Sequence, residues 1–152
     1  MATTAFPYLV DGMVQAFKAS PALSGVMIFD GPEINEDYPG SWIAVGHDGS
    51  EDMDVNAGSA QNEYLQLGAK RMYEDGNVNC TLSAWTGDTD LPTVRRAAYS
   101  LLDAVDTAIR SDPSFNGVVL WSGLATHNPI YRQTNAGADM TINFTIAYRA
   151  RT

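Results

Sequence analysis

His47 and Asp48 stand side by side, the pairing that general acid–base chemistry uses. The chain holds one other histidine, His127. Each lies in a glycine- or proline-rich stretch, and no serine–histidine–acid spacing supports nucleophilic catalysis. Their types and settings predict surface histidines rather than a catalytic pair. Asp48, Ser50, Asp52 and Asp54 recur two apart, like the opening of a calcium loop. The sixth position of that loop requires glycine and is Met53. The twelfth requires glutamate and is Ser59. The expectation is a solvated acidic loop. Cys80 alternates with polar neighbours and reads as a small buried hydrophobe, not a nucleophile. Asn79-Cys80-Thr81 and Asn143-Phe144-Thr145 match the glycosylation pattern, but both fall inside predicted strands. The sequence carries no phosphate-binding glycine loop, no paired metal histidines and no basic aromatic patch. No catalytic constellation emerges, so a structural or interaction role is favoured by elimination, with no cofactor or metal.

Charge points the same way. Eighteen acids and nine bases give a net charge of −9. Residues 1–69 hold ten acids and Lys18 as their single base, so the whole excess lies there. A chain of this balance lacks the cations that face phosphate in nucleic-acid complexes or an anionic membrane surface. No apolar run approaches the ~20 residues of a membrane span. The start, MATTAFPYLVDGMV, has no basic region or cleavage site of a signal peptide, and one cysteine allows no internal disulfide. These features fit a reducing compartment. The 152 residues read as one domain, 1–152.

The elements that would position these residues follow from periodicity. Leu9, Met13 and Phe17, flanked by Val10 and Val14, form a helical stripe from Ala5 to Ala19. Val26–Phe29 and Ser41–Gly46 read as strands, with a loop over 31–40 and a long exposed loop or hairpin tip over 46–60. Glu63–Glu74 reads as a third strand with a bulge at Gly68. Asp75-Gly76 reads as the turn of a hairpin. Beyond it Val78, Cys80, Leu82 and Ala84 alternate with Asn77, Asn79, Thr81 and Ser83, one buried face and one wet face. Asp88 and Asp90 precede a second helix. Its stripe is Val94, Ala98, Leu101, Leu102, Val105 and Ile109, and Asp112-Pro113 ends it. Val118–Leu124, a turn at His127-Asn128-Pro129, Ile130–Thr134, a turn over Asn135–Ala138 and an alternating strand over 141–148 complete the chain. The fold class expected is α+β: a mostly antiparallel, mixed sheet with two amphipathic helices on one face and a long acidic loop.

These signals, taken in order, resemble the tail terminator (tail completion) proteins of bacteriophages with long non-contractile tails, especially the actinobacterial-phage type. The resemblance runs over nearly the whole chain. It is carried by the strand closing on Asp30-Gly31-Pro32, by Trp42-Ile43-Ala44-Val45-Gly46 before an acidic loop, and by Lys70-Arg71-Met72-Tyr73-Glu74. Further on come Arg95-Arg96-Ala97-Ala98, the turn from Ser111 to Val119, and Tyr131-Arg132-Gln133-Thr134 through Gly137. Phe115-Asn116-Gly117 stands where the family type has leucine-glycine-glycine. The resemblance implies a structural virion protein at the head-proximal end of the tail, assembled in the host cytoplasm. Such a protein forms a homo-oligomeric ring, six-membered in the family. The ring caps the tail tube, ends its polymerisation and meets the head–tail connector or stopper.

DNA would pass through the ring without specific binding, and an acidic channel would keep phosphate from sticking. The acids expected to line the channel or an interface are Asp30, Glu33, Glu36, Asp37, Asp48, Glu51, Asp52 and Asp54. Subunits could meet through sheet edges, and loops 31–40, 46–60 and 125–139 could reach the partners. Two other readings compete. One is a head-completion adaptor, stopper or tail-tube subunit, the last disfavoured by two long helical stripes. The other is a small hydrolase or ligand-binding domain, whose activity would depend on His47 or Cys80.

Overall fold

Leu9, Met13 and Phe17 each lose all contact with solvent, and what they pack on explains the rest of the chain. The computed structural model describes residues 3–32, 40–50, 54–64, 68, 71–87, 89–134 and 137–152. Helix α1 spans Phe6–Ala19, with Pro7 in its first turn, and a 3-10 turn, Pro21–Leu23, follows. Then come β1 (Met27–Asp30), β2 (Trp42–Val45), β3 (Gly58–Tyr64), β4 (Met72–Trp85), α2 (Leu91–Ser111), β5 (Trp121–Thr134) and β6 (Gly137–Arg151). The strands form one mixed sheet in the order β1-β2-β4-β6-β5, with β3 beside the first half of β4. Only β1 and β2 run parallel; every other pair is antiparallel. The fold is α+β, as its patterning predicts.

Both helices lie on one face. α2 buries Val94, Ala98, Leu102, Val105 and Ile109. Leu101 is only half-buried at the edge of the stripe. β6 supplies Met140, Ile142, Phe144, Ile146 and Tyr148 to the same core, and β4 supplies Val78, Cys80, Leu82 and Ala84. Burying each large side chain contributes about 1.5–3 kcal/mol, so the core rather than helix propensity holds the layers together.

Several expectations from the sequence are corrected. The strand expected over 63–74 is two: β3 ends at Tyr64 and β4 starts at Met72. Gly68 belongs to the turn between them, with φ +80°, and marks no bulge. Asp75-Gly76 is therefore not a hairpin turn but lies inside the first half of β4. Gly76 serves packing: a Cβ there would sit 2.6 Å from the Ser59 carbonyl oxygen and 2.7 Å from the Tyr148 hydroxyl. The face of β4 expected to be wet is not uniformly so, because Thr81 and Ser83 are buried.

The turn expected at His127-Asn128-Pro129 does not form. One strand, β5, crosses it, irregular only between Leu124 and Thr126. Proline lacks a ladder donor, but β5 is the outermost strand, where that loss is tolerated. Residues 125–139 are thus a paired β-ribbon along 125–134 and 137–139, not a free loop. The stretch 46–60 is not a continuous exposed loop either: Gly46 and His47 are buried, and 58–60 belong to β3. The turn expected around Asn135, most of the loop over 31–40 and the centre of the acidic loop lie outside the described residues.

Candidate functional site

Of the eight candidate acids, Asp30, Asp48 and Asp54 are among the described residues. Glu33, Glu36, Asp37, Glu51 and Asp52 lie outside the described residues, as does Asp88. Asp48 is committed locally. Its Oδ1 accepts the Ser50 amide at 2.9 Å and its Oδ2 accepts the Asn56 amide at 3.2 Å. The Ser50 bond leads in holding its carboxyl below the ordinary value, with help from Asn56 and His47. Both oxygens close a turn, so Asp48 acts as a fastener of the loop.

His47 is not a surface residue. Only 7% of it is exposed. Its backbone amide and that of Gly46 both donate to the Asn79 carbonyl, continuing β2 into the turn. Its Nδ1 accepts the Gly49 amide at 2.8 Å, which leaves the ring hydrogen on Nε2. Burial lowers its pKa, and the neighbouring Asp48 charge offsets part of that. The turn folds back over the helix-free face of the sheet. Gly49, at φ +82°, sits so close to the Asn143 amide that a Cβ would overlap it. Asn143 Oδ1 in turn accepts the Thr81 hydroxyl at 2.8 Å. His127 is exposed on β5 and stacks edge-on against Tyr99 of α2. The two histidines therefore belong to different regions. Burial pushes the Cys80 thiol up to about 12, which keeps it a neutral core group at neutral pH. Among the described residues, no three His, Cys, Asp or Glu side chains converge as metal ligands. No helix among them is long and apolar enough to cross a membrane.

Three features escaped the sequence reading. The first is Glu74, wholly buried beneath the start of α1. Its Oε1 accepts the Tyr148 hydroxyl at 2.7 Å, the Thr4 hydroxyl at 2.9 Å and the Ala5 amide at 3.2 Å. Burial, reinforced by Glu74, raises the Tyr148 phenol above its ordinary value. This carboxyl satisfies an otherwise orphaned amide at the helix start and ties α1 to the sheet. Its inward position follows from strand parity with Val78 and Cys80, a signal hidden when the strand is broken at Asp75-Gly76.

The second feature is a pair of grooves on opposite flanks of the first turns of α1. One, about 550 Å³, has a floor that includes Phe6, Val10 and Val55, and a rim of Asp11, Asp30 and Asp54. The other, about 480 Å³, lies between Ala5, Tyr8 and Val118, with Arg71 and Arg151 beside them. The third is the free edge of the sheet. β5 is exposed from Ala125 to Arg132, and Leu120, Trp121, Ile130 and Tyr131 are all large apolar side chains left in solvent. Charge, proline and bulges commonly protect such an edge, and this one has Arg132, Pro129 and the irregularity at Leu124/Thr126 alongside its exposed apolar side chains.

No family model matches the chain, and no curated protein matches it.

Proposed function

We propose that this chain is a ring-forming structural subunit of a bacteriophage tail. In this reading the ring, of six copies, caps the tail tube, ends its polymerisation and joins the tail to the head connector. The observation that carries the assembly reading is the exposed β5 edge. Among the described residues, this strand of 14 leaves one side of its backbone unpaired, and four of the eight large exposed hydrophobic side chains lie on it or next to it. Such an edge is a template for a neighbouring chain. The described side chains favour surfaces over chemistry, since His47, Asp48 and Cys80 are each spent on turn or core.

The phage assignment itself rests on the resemblance in the sequence. The acidic excess in the first 69 residues suits a channel through which DNA slides without adhering. Asp30 and Asp54, both exposed, are available to a channel or a subunit contact, whereas Asp48 is tied into its turn.

Particles assembled without this chain test the reading by electron microscopy. Tails of irregular length that fail to join heads are the expected result. Tails of normal length firmly joined to heads would overturn it. A double variant, His47→Ala with Cys80→Ala, separates the hydrolase reading: a ring subunit that still folds keeps its assembly activity.

A further inference from the structure

We infer that the two grooves flanking α1 are the two halves of one contact between successive copies of this chain, with the Arg71/Arg151 groove of one copy seated against the Asp11/Asp30/Asp54 groove of the next. The inference rests on the ring reading and adds a side-chain contact to the one the β5 edge offers.

The acidic groove is unusual as an isolated surface. Three exposed carboxylates surround an apolar floor, and no ion pair or hydrogen bond ties any of the three to another described residue. Like charges placed around apolar surface repel one another and leave that surface wet. A partner that covers the floor and neutralises the rim removes both costs. An arginine does this best. Its aliphatic stem covers apolar surface, and its planar guanidinium meets carboxylates two-pronged.

The same chain carries that counterpart. Arg71 and Arg151 are exposed and have no carboxylate partner among the described residues. Arg149, by contrast, is committed to Asp75. Arg151 also lies over the Tyr73 ring, 6.0 Å from its centroid, and beside the two arginines in the same groove is Tyr8 of α1, 56% exposed, an aromatic of the kind that anchors interfaces when a pocket receives it. The floor of Phe6, Val10 and Val55 in the facing groove offers such a pocket. The two surfaces differ in sign and lie on opposite flanks of one helix, so the contact is head-to-tail. Contacts of that kind close into rings when the rotation between copies closes, and run on as filaments when it does not.

The test uses two multiple variants of the whole chain. One reverses the acidic rim (Asp11→Arg, Asp30→Arg, Asp54→Arg); the other reverses the basic groove (Arg71→Glu, Arg151→Glu). All five sites are exposed, and circular dichroism checks that the fold is kept. Analytical ultracentrifugation at low salt is expected to show self-association of the wild-type chain. Each variant alone should associate about tenfold more weakly or worse. An equimolar mixture should regain association, because every junction in an alternating assembly then joins opposite charges. A wild-type chain that stays monomeric at millimolar concentration would overturn the contact, as would a mixture no better than its parts. Rings undisturbed by either reversal would overturn the contact and leave the ring reading standing. Rescue by mixing, together with normal tails on particles lacking the chain, would instead uphold the contact and remove the tail function.

Discussion

On β6, neighbouring residues meet opposite surroundings. Toward the helices, Met140, Ile142, Phe144, Ile146 and Tyr148 are at most 1% exposed. Toward the other side, Thr141, Asn143, Thr145, Ala147 and Arg149 are half-buried, and the cover they have includes the Gly46–Ser50 turn. The polar groups of the two faces are also handled differently. Among the described residues, the helix side buries one carboxyl, Glu74, and surrounds its Oε1 with three donors. The open side spreads small polar side chains in a Thr81–Asn143 bond, a Thr126–Thr145 bond and an Asp75–Arg149 ion pair. Stability therefore resides in one face. The other is free to vary or to bind.

The comparison is broken most directly in the core. Phe144→Ala should cost about 3–5 kcal/mol in urea unfolding, through lost transfer energy and the cavity left behind. Its neighbour supplies the control: Asn143→Ala should cost about 0.5–1.5 kcal/mol, the value of one hydrogen bond. Glu74→Ala should fall between them, at about 1–3 kcal/mol, because the Tyr148 hydroxyl and the Ala5 amide lose their acceptor. Hydrogen exchange at the start of α1 should rise selectively in that variant.

A smaller effect is pH-dependent. Burial holds His47 below its ordinary value of 6.5, so the unfolded chain takes up the proton first as pH falls. The stability contribution is complete above about pH 6.5 and declines as pH drops from there toward the folded value. His47→Gln should flatten that slope between about pH 7 and 5 in urea midpoints. The smallest effect belongs to Arg149→Ala. Its ion pair with Asp75 is partly solvated, with 39% and 45% of the two side chains exposed, and the change should lie within the error of the titration.

Much of this architecture is legible from spacing. The stripe Leu9, Met13, Phe17 and the longer stripe from Val94 to Ile109 declare both helices, because a period of 3.6 residues leaves one face apolar. Alternation from Ile142 to Tyr148 declares the central strand. The errors share one cause. Asp75-Gly76 and His127-Asn128-Pro129 have the composition of turns, yet each lies inside a strand of 14 residues. Local turn preference was outweighed by pairing along thirteen registered positions of β6 on either side. The same errors concealed Glu74 as an inward-facing group and β5 as an unbroken edge. The segment around Phe115 and Asn116 shows the converse. Both have positive φ, 48° and 59°, in a turn that the position of Asp112-Pro113 does announce. The Phe115 ring, packed against Gly12 of α1, offsets that strain.

The residues by themselves determined the class of fold, the two helices, the identity of most core positions and the placement of the charge excess, because these follow from local periods and counts. Only the tertiary structure decided that His47 is buried, that Glu74 clasps α1, and that Asp11, Asp30 and Asp54 share one groove while Arg71 and Arg151 share another. Those residues are far apart along the chain. Their proximity is a product of strand order and helix packing, which no local period encodes.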